Sequence, residues 1–359
     1  MRRVLVARLD SVGDVLLAGP AVRAVAAGRG GEPAEVVLLC GPQGAPAARQ
    51  LPGVAQVLVW TCPWIANPAP PLTPAAVAEL GALLSDAGTD EAVILTSFHQ
   101  SPLPLALLLR LHGFRRLTGA SVDFAGQLLD VRLRPGEDFP EDQPEAERAL
   151  TIARAAGFDL PAGDGGQLAV TPGPDVSSLT GDAPYVVLHP GAAVPSRAWP
   201  AEHAADAVRL LSEAGLRVLV TGGPGERALT ARVAGRHGHD LGGRTDLAQL
   251  STVLRGASVT VTGNTGPAHL SAAVGTPVVS LFSPVVPAVR WAPYAVPVEL
   301  LGDQQAACRD SRARDCPVPG HPCLSSVTAE EVTRACLRLL GQGEGKAVGS
   351  DVALERSGP

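Results

Sequence analysis

The chain has 359 residues, 46% hydrophobic and 18% charged, with a formal net charge of -6. That length exceeds one ordinary core and suits two domains, and the composition excludes a disordered chain. The acidic balance and the lack of a basic run interleaved with aromatics argue against a general nucleic-acid binder. Lys346 is the only lysine, so cationic chemistry in the folded part falls to Arg and His.

The first apolar run, residues 3–8, reads as a strand buried in a parallel sheet. Arg8, Asp10 and Asp14 interrupt that run too early for a signal peptide. The turn Leu9-Asp10-Ser11-Val12-Gly13-Asp14 follows, then an apolar-periodic helix to residue 27. Gly13 lets the backbone turn closely. Asp14, in the first helical turn, has two readings side by side. One is a carboxylate favoured by the helix dipole. The other is a functional carboxylate at the carboxyl end of a strand, where open α/β sheets place ligands.

Strand and helix patterns then alternate over 35–39, 45–51, 56–60, 75–87, 92–96 and 102–111, the succession of a doubly wound α/β domain. Thr96-Ser97-Phe98-His99-Gln100 ends a strand with polar groups, as a cleft wall would. His99 reads equally as a structural histidine or a ligand contact. Arg110, Arg115 and Arg116 read as a solvated helix end. Residues 134–147 are acidic and proline-containing and read as surface, with a helix over 145–156.

Residues 161–184 are dense in Gly, Pro, Asp and Ser, the clearest composition break. The expected organisation is an N-terminal domain over 1–165, a linker over 166–184, and a C-terminal domain over 185–327. A terminal helix over 328–341 opens on a Thr328/Glu331 capping box, and 342–359 reads as a disordered tail. The second domain repeats the strand–turn–helix grammar from residue 185, and two such domains in series imply a cleft between them. Within 259–284, the turn Gly263-Asn264-Thr265-Gly266-Pro267 lies between an apolar strand and a helix over 268–274. Such a turn directs unpaired backbone N–H groups at one spot and suits a phosphate, and Pro267 fits the first helical turn. An ordinary β-α-β connection is the plainer alternative.

Residues 269–289 lack acidic residues, Lys and Arg over about the length of a membrane span. Pro277, Pro284 and Pro287 break that stretch, so the expectation is a cytoplasmic protein. Cys308, Cys316 and Cys323, with His321, are a candidate metal set. They lack the paired C-x-x-C spacing of zinc sites, and a loop of free thiols with no metal is the expectation.

Four segments, RLDSVGD, HPGAAVPSRAWP, GGPGE and NTGPAHLSAAVGTPVVSLFSP, occur in that order over nearly the whole folded chain. Together they resemble glycosyltransferase family 9, the ADP-heptose heptosyltransferases. The resemblance implies an α/β protein of GT-B fold, two Rossmann-like domains facing across a cleft. The N-terminal domain would receive the acceptor and the C-terminal domain the nucleotide-sugar donor. It implies an inverting transfer with no metal and no cofactor, ADP-heptose being a co-substrate. The family's general base falls on Asp14, a carboxylate that takes the acceptor's proton. Ser11, Gly13 and His99 fall on the acceptor side.

The family's Lys in K-x-W-P is Arg197 here, which keeps the charge on a departing diphosphate and adds a bidentate fork. Gly191, Gly222, Gly223, Pro267 and the backbone amides near Thr265, Gly266 and Ala268 complete the implied donor site. Glu226, from the family's G-G-x-x-E turn, is implied to hold ribose hydroxyls. His189 and His269 match family positions and take structural or phosphate-contacting roles. The chain departs from the family at Asn264, where Asp is usual; Asn keeps an acceptor, gains a donor and loses the charge, which opens the donor's identity. The chain contains no D-x-D triplet. The implied partners are the donor and a glycan, glycolipid or small-molecule acceptor, with peripheral membrane contact, no nucleic acid and no obligate protein partner.

Three other readings stay open. Gly223 to Ala228 matches G-x-G-x-x-A after a strand, with Asp246 about 20 residues on, as in a nicotinamide oxidoreductase. Asp246, however, precedes a helical pattern, where capping explains it. A nucleotide-sugar epimerase of the same architecture would need the donor site without the base. A catalytically degenerate sugar-nucleotide binder is supported by Asn264 and Arg197 and opposed by Asp14.

Overall fold

The computed structural model describes residues 1–347. The chain divides into two compact units: Met1–Pro172 with Val289–Ala295, and Gly173–Ala288 with the described residues from 296 to 347. Residues 289–295, expected within the C-terminal domain, pack instead with the first unit, through contacts that no local pattern encodes.

The first unit holds β1 (Arg2–Arg8), β2 (Ala34–Cys40), β3 (Val54–Val59), β4 (Glu91–Ile94), β5 (Arg116–Ala120) and β6 (Val131–Leu133). They form one sheet in the order β3-β2-β1-β4-β5-β6, every pairing parallel. Val4 to Ala7 are buried without alternation, because helices cover both faces of a parallel sheet. The helix expected up to residue 27 is two, Val12–Leu17 and Gly19–Ala27, the second with proline in its first turn. A Cβ on Gly44 would sit 2.6 Å from Val15 Cγ2, so glycine there lets the following turn close on the first helix.

Two expectations hold only in part in this unit. Arg115 and Arg116 are solvent-exposed as expected, but Arg110 is turned inward: it donates to the Phe114 and Arg115 carbonyls at 3.0 and 2.8 Å and to Asp130 at 2.7 Å, and Arg116 opens β5. The stretch 134–147 is not all surface, since Phe139 and Glu145 are buried. The acidic composition concealed a carboxylate with an internal partner.

The second unit holds β7 (Val186–His189), β8 (Val218–Val220), β9 (His239–Asp240), β10 (Thr260–Gly263), β11 (Val278–Leu281) and β12 (Val298–Leu301), paired in parallel in the order β12-β11-β10-β7-β8-β9. Followed along the chain, this is the same winding as the first sheet. Each sheet therefore has one point where the strand order reverses, between β1 and β4 and between β7 and β10, the place where such sheets bind ligands. The terminal helix runs Ala329–Ala347, past its expected end at 341, and Thr328 and Glu331 cap it reciprocally at 2.8 and 3.2 Å. Residues 348–359 of the expected tail lie outside the described residues. Among the described residues no helix is long and apolar enough to cross a membrane.

Candidate functional site

In the first unit, the ends of β1 and β4 converge on Arg8, the last residue of β1 and 2% exposed. Its Nη2 donates to Ser97 Oγ at 2.6 Å and to Asp14 Oδ1 at 3.1 Å. Its Nε lies 3.0 Å from Asp10 Oδ2 and its Nη1 3.6 Å from Glu145 Oε2. Burial alone would disfavour the cation, but Asp10, Asp14 and Glu145 outweigh it and raise its pKa. Burial raises the pKa of both Asp10 and Glu145, with Arg8 opposing in each case. One buried guanidinium thus carries three carboxylates, a costly arrangement that functional sites retain more often than cores do.

Asp14 sits at the centre of this group. Ser11 Oγ donates to its Oδ2 at 2.8 Å, and the Trp291 indole N–H to its Oδ1 at 3.4 Å. Ser11 is the helix N-cap but makes no side-chain cap bond; its hydroxyl serves the carboxylate instead. Gly13, between them, is buried. His99 is exposed, its ring 5.3 Å edge-on from Phe98, whose ring lies 5.7 Å from Trp291. A cavity of about 140 Å³ beside these residues is lined by Phe98, His99, Gln100, Ser121, Asp123 and Arg148.

In the second unit, the ends of β7, β8 and β10 carry the other expected residues. His189 closes β7, with Nδ1 3.0 Å from Thr221 Oγ1 and Nε2 3.9 Å from Glu226 Oε2. Burial lowers its pKa, with Glu226 opposing. Glu226 Oε2 accepts the Gly223 N–H at 2.7 Å. Gly222 and Gly191 are needed for room: a Cβ on Gly222 would meet Thr230 at 2.5 Å, and one on Gly191 would meet Glu226 at 1.9 Å.

Arg197 ends a short turn, Pro195–Arg197, and its Nη1 donates to the Asn264 carbonyl at 3.4 Å. Ser196 anchors that turn: its N–H donates to Arg314 O at 2.9 Å, its Oγ to Ala313 O at 2.6 Å, and its carbonyl lies 3.0 Å from His321 Nε2. Asn264 is 4% exposed; its Nδ2 donates to Ser283 O at 3.4 Å, and its Oδ1 has no hydrogen-bond partner among the described residues. The following helix, Gly266–Ala273, starts two residues before its expected position, with Pro267 in its first turn and His269 buried within it. Two amides expected to face a phosphate are engaged inside the turn: Thr265 N–H with Gly263 O at 2.8 Å, and Ala268 N–H with Thr265 O at 3.1 Å.

Asp246 caps the helix Leu247–Arg255, accepting from Gln249 N at 2.8 Å while its own N–H donates to Gln249 Oε1 at 3.0 Å. The dinucleotide reading loses its acidic partner. The cysteines are free thiols, and no group of three or more His, Cys, Asp or Glu among the described residues is placed to hold a metal. Sequence reasoning missed Arg8, Glu145, Thr221 and Trp291. A charged residue ending an apolar strand was an available signal for Arg8; Trp291 offered none.

The model of the family described as Glycosyltransferase family 9 (heptosyltransferase) matches residues 100–321. Lipopolysaccharide heptosyltransferase 1 of Salmonella typhimurium is 29% identical over 150 residues, 41% of this chain and 47% of that protein. Lipopolysaccharide heptosyltransferase 2 of Escherichia coli is 28% identical over 229 residues, 58% and 64% respectively. The chain therefore matches roughly half to just under two thirds of the length of these curated relatives. The solved structure of E. coli heptosyltransferase WaaC with ADP is similar at a TM-score of 0.68 and 21% identity, covering 94% of this chain and 99% of that one. The likeness shows the α/β, GT-B fold that the motifs led us to expect.

Proposed function

The chain belongs to glycosyltransferase family 9, and from that premise we propose that it is an inverting, metal-independent transferase. It moves a heptose from an ADP-linked donor to a hydroxyl of a glycan or glycolipid acceptor. Asp14 takes the proton from the acceptor hydroxyl as that oxygen attacks the anomeric carbon. The bond from that carbon to the diphosphate breaks, and its electron pair leaves with the nucleoside diphosphate. Arg197 and the Gly266 N–H stabilise the charge that develops there.

The observation that carries this reading is a guanidinium beside the opening of a helix at the second sheet's reversal point, with Arg197 Nη1 3.4 Å from Asn264 O. Such a pairing suits a diphosphate and needs no metal ion. The ADP-containing relative supports adenine as the base, and the unsatisfied Asn264 Oδ1 is an acceptor for a donor-sugar hydroxyl.

Calorimetric titration with ADP, UDP, GDP, dTDP and NAD, without added metal, tests the reading. Selective ADP binding is expected. Selective binding of another diphosphate moves the donor, and binding of NAD alone overturns the proposal.

A further inference from the structure

Residues 289–295 return from the second half of the chain to the first unit and dock there with three side chains. Arg290 donates to Glu141 Oε2 at 3.0 Å and Asp142 Oδ1 at 3.2 Å, with its guanidinium carbon 4.0 Å from the Phe98 ring centroid. Tyr294 donates to Glu147. Trp291 lies between them, its ring tilted 60° to Phe98 at 5.7 Å and its indole N–H on Asp14 Oδ1 at 3.4 Å. The two anchors fix the strap on both sides of the indole, and Phe98 fixes the ring plane. The indole's one polar group therefore points at a carboxylate 277 residues earlier in the chain.

We propose that Trp291 is a positioning residue for the Asp14 carboxylate. The inference rests on the assignment of Asp14 as the general base. Arg8 and Trp291 both donate to Oδ1 while Ser11 donates to Oδ2, so each of the three bears on the orientation of the carboxylate. An indole N–H donates only, so this contact favours the ionised carboxylate over the protonated acid. Charged groups bearing on Asp14 include Arg8 from β1, Asp10 from the turn after it and Glu145 from the helix Glu145–Ala155. Arg148 and Arg290 act on Glu145 in turn. Trp291 differs from all of these in adding a donor without adding charge.

The test is carboxyl-carbon NMR titration of the full chain carrying carbon-13 aspartate, with the Asp14 signal identified by its loss in Asp14→Asn. Trp291→Phe keeps the ring on Phe98 and removes the N–H. The Asp14 midpoint is expected to rise by about one unit, the lower end of the scale for losing one hydrogen bond to a charged form. In the wild-type protein the Trp291 indole N–H signal is expected to move with the same midpoint, a readout that needs no folded variant. An unshifted Asp14 midpoint, or an indole signal that ignores it, overturns the inference.

Release of ADP from ADP-heptose, with heptose-free lipopolysaccharide as acceptor probe, separates the two claims. The expected result is an inactive Asp14→Asn and a Trp291→Phe with kcat about tenfold lower and KM for the donor unchanged. A wild-type kcat in Trp291→Phe beside an inactive Asp14→Asn removes the positioning role alone. An active Asp14→Asn removes the base assignment and this inference with it.

Discussion

The Glu226 carboxylate occupies the space that a side chain on residue 191 would need, a Cβ there falling 1.9 Å from Glu226 Oε1. The same carboxylate accepts the Gly223 N–H. The carboxylate is thus bonded within its own turn, the one after β8, and fills the space beside Gly191 in the turn after β7. Glu226 is thereby held at the carboxyl ends of the strands, where the donor is proposed to bind.

Gly191→Ala is therefore expected to displace Glu226 and break its bond to Gly223. ADP affinity should fall about tenfold, the worth of one hydrogen bond to a charged group, while the melting temperature changes little. Calorimetry with ADP and a thermal melt read both quantities. Unchanged affinity would take Glu226 out of the donor site.

Arg8→Met is expected to destabilise the protein by about 3–5 kcal/mol, because it leaves Asp10, Asp14 and Glu145 without their shared buried cation. Urea unfolding at neutral pH measures this. A loss below about 1 kcal/mol, the range of an exposed pair, would mean that water already screens the cluster.

Glu145 makes a pH prediction. Burial holds its pKa above the ordinary carboxylate value. A carboxyl raised in the folded state contributes stability that is complete below its unfolded pKa and is lost as pH rises through the folded one. The stability of the wild type relative to Glu145→Gln should therefore fall as pH rises out of the ordinary carboxylate range, about 4, toward neutrality, read as the difference between urea midpoints. A difference that grows with pH would show that the Arg8 pairing outweighs burial.

Asn264→Asp restores the residue usual in the family and is expected to cost stability here. Its Nδ2 donates to Ser283 O, and a carboxylate would set a second acceptor against that carbonyl. A loss of about 1–3 kcal/mol is expected at neutral pH, recovering as the carboxyl protonates in acid. Thermal melts across pH check the sign, and an unchanged melt would mean that the Ser283 contact carries no weight.

Much of the architecture was legible because parallel strands and their covering helices write themselves into short apolar runs and glycine-bounded turns. The helix Leu247–Arg255 and its Asp246 cap are local in this sense. Residues 116–120, 131–133, 239–240 and 298–301 were not read as strands. β9 has only two residues, and β12 is nowhere fully buried, so neither carries an apolar run. At the candidate site, the turn carrying Asp14 and the turn carrying Asn264 were both readable from glycine, proline and charge. The amides of Thr265 and Ala268 bond within the turn itself, which a turn pattern does not encode.

By itself the sequence determined the alternation of strands and helices, the family, and the turns that carry Asp14, Arg197 and Glu226, since each is encoded within a few consecutive residues. Only the tertiary structure decided what those residues touch. Arg8, Ser97 and Glu145 meet because β1, β4 and a later helix converge at one end of a sheet. Trp291 joins Asp14 because a strap from the far half of the chain packs back onto the first unit. Hydrogen bonds and ion pairs act over a few ångströms of space, whatever the distance along the chain, so partners this remote leave no periodicity to read.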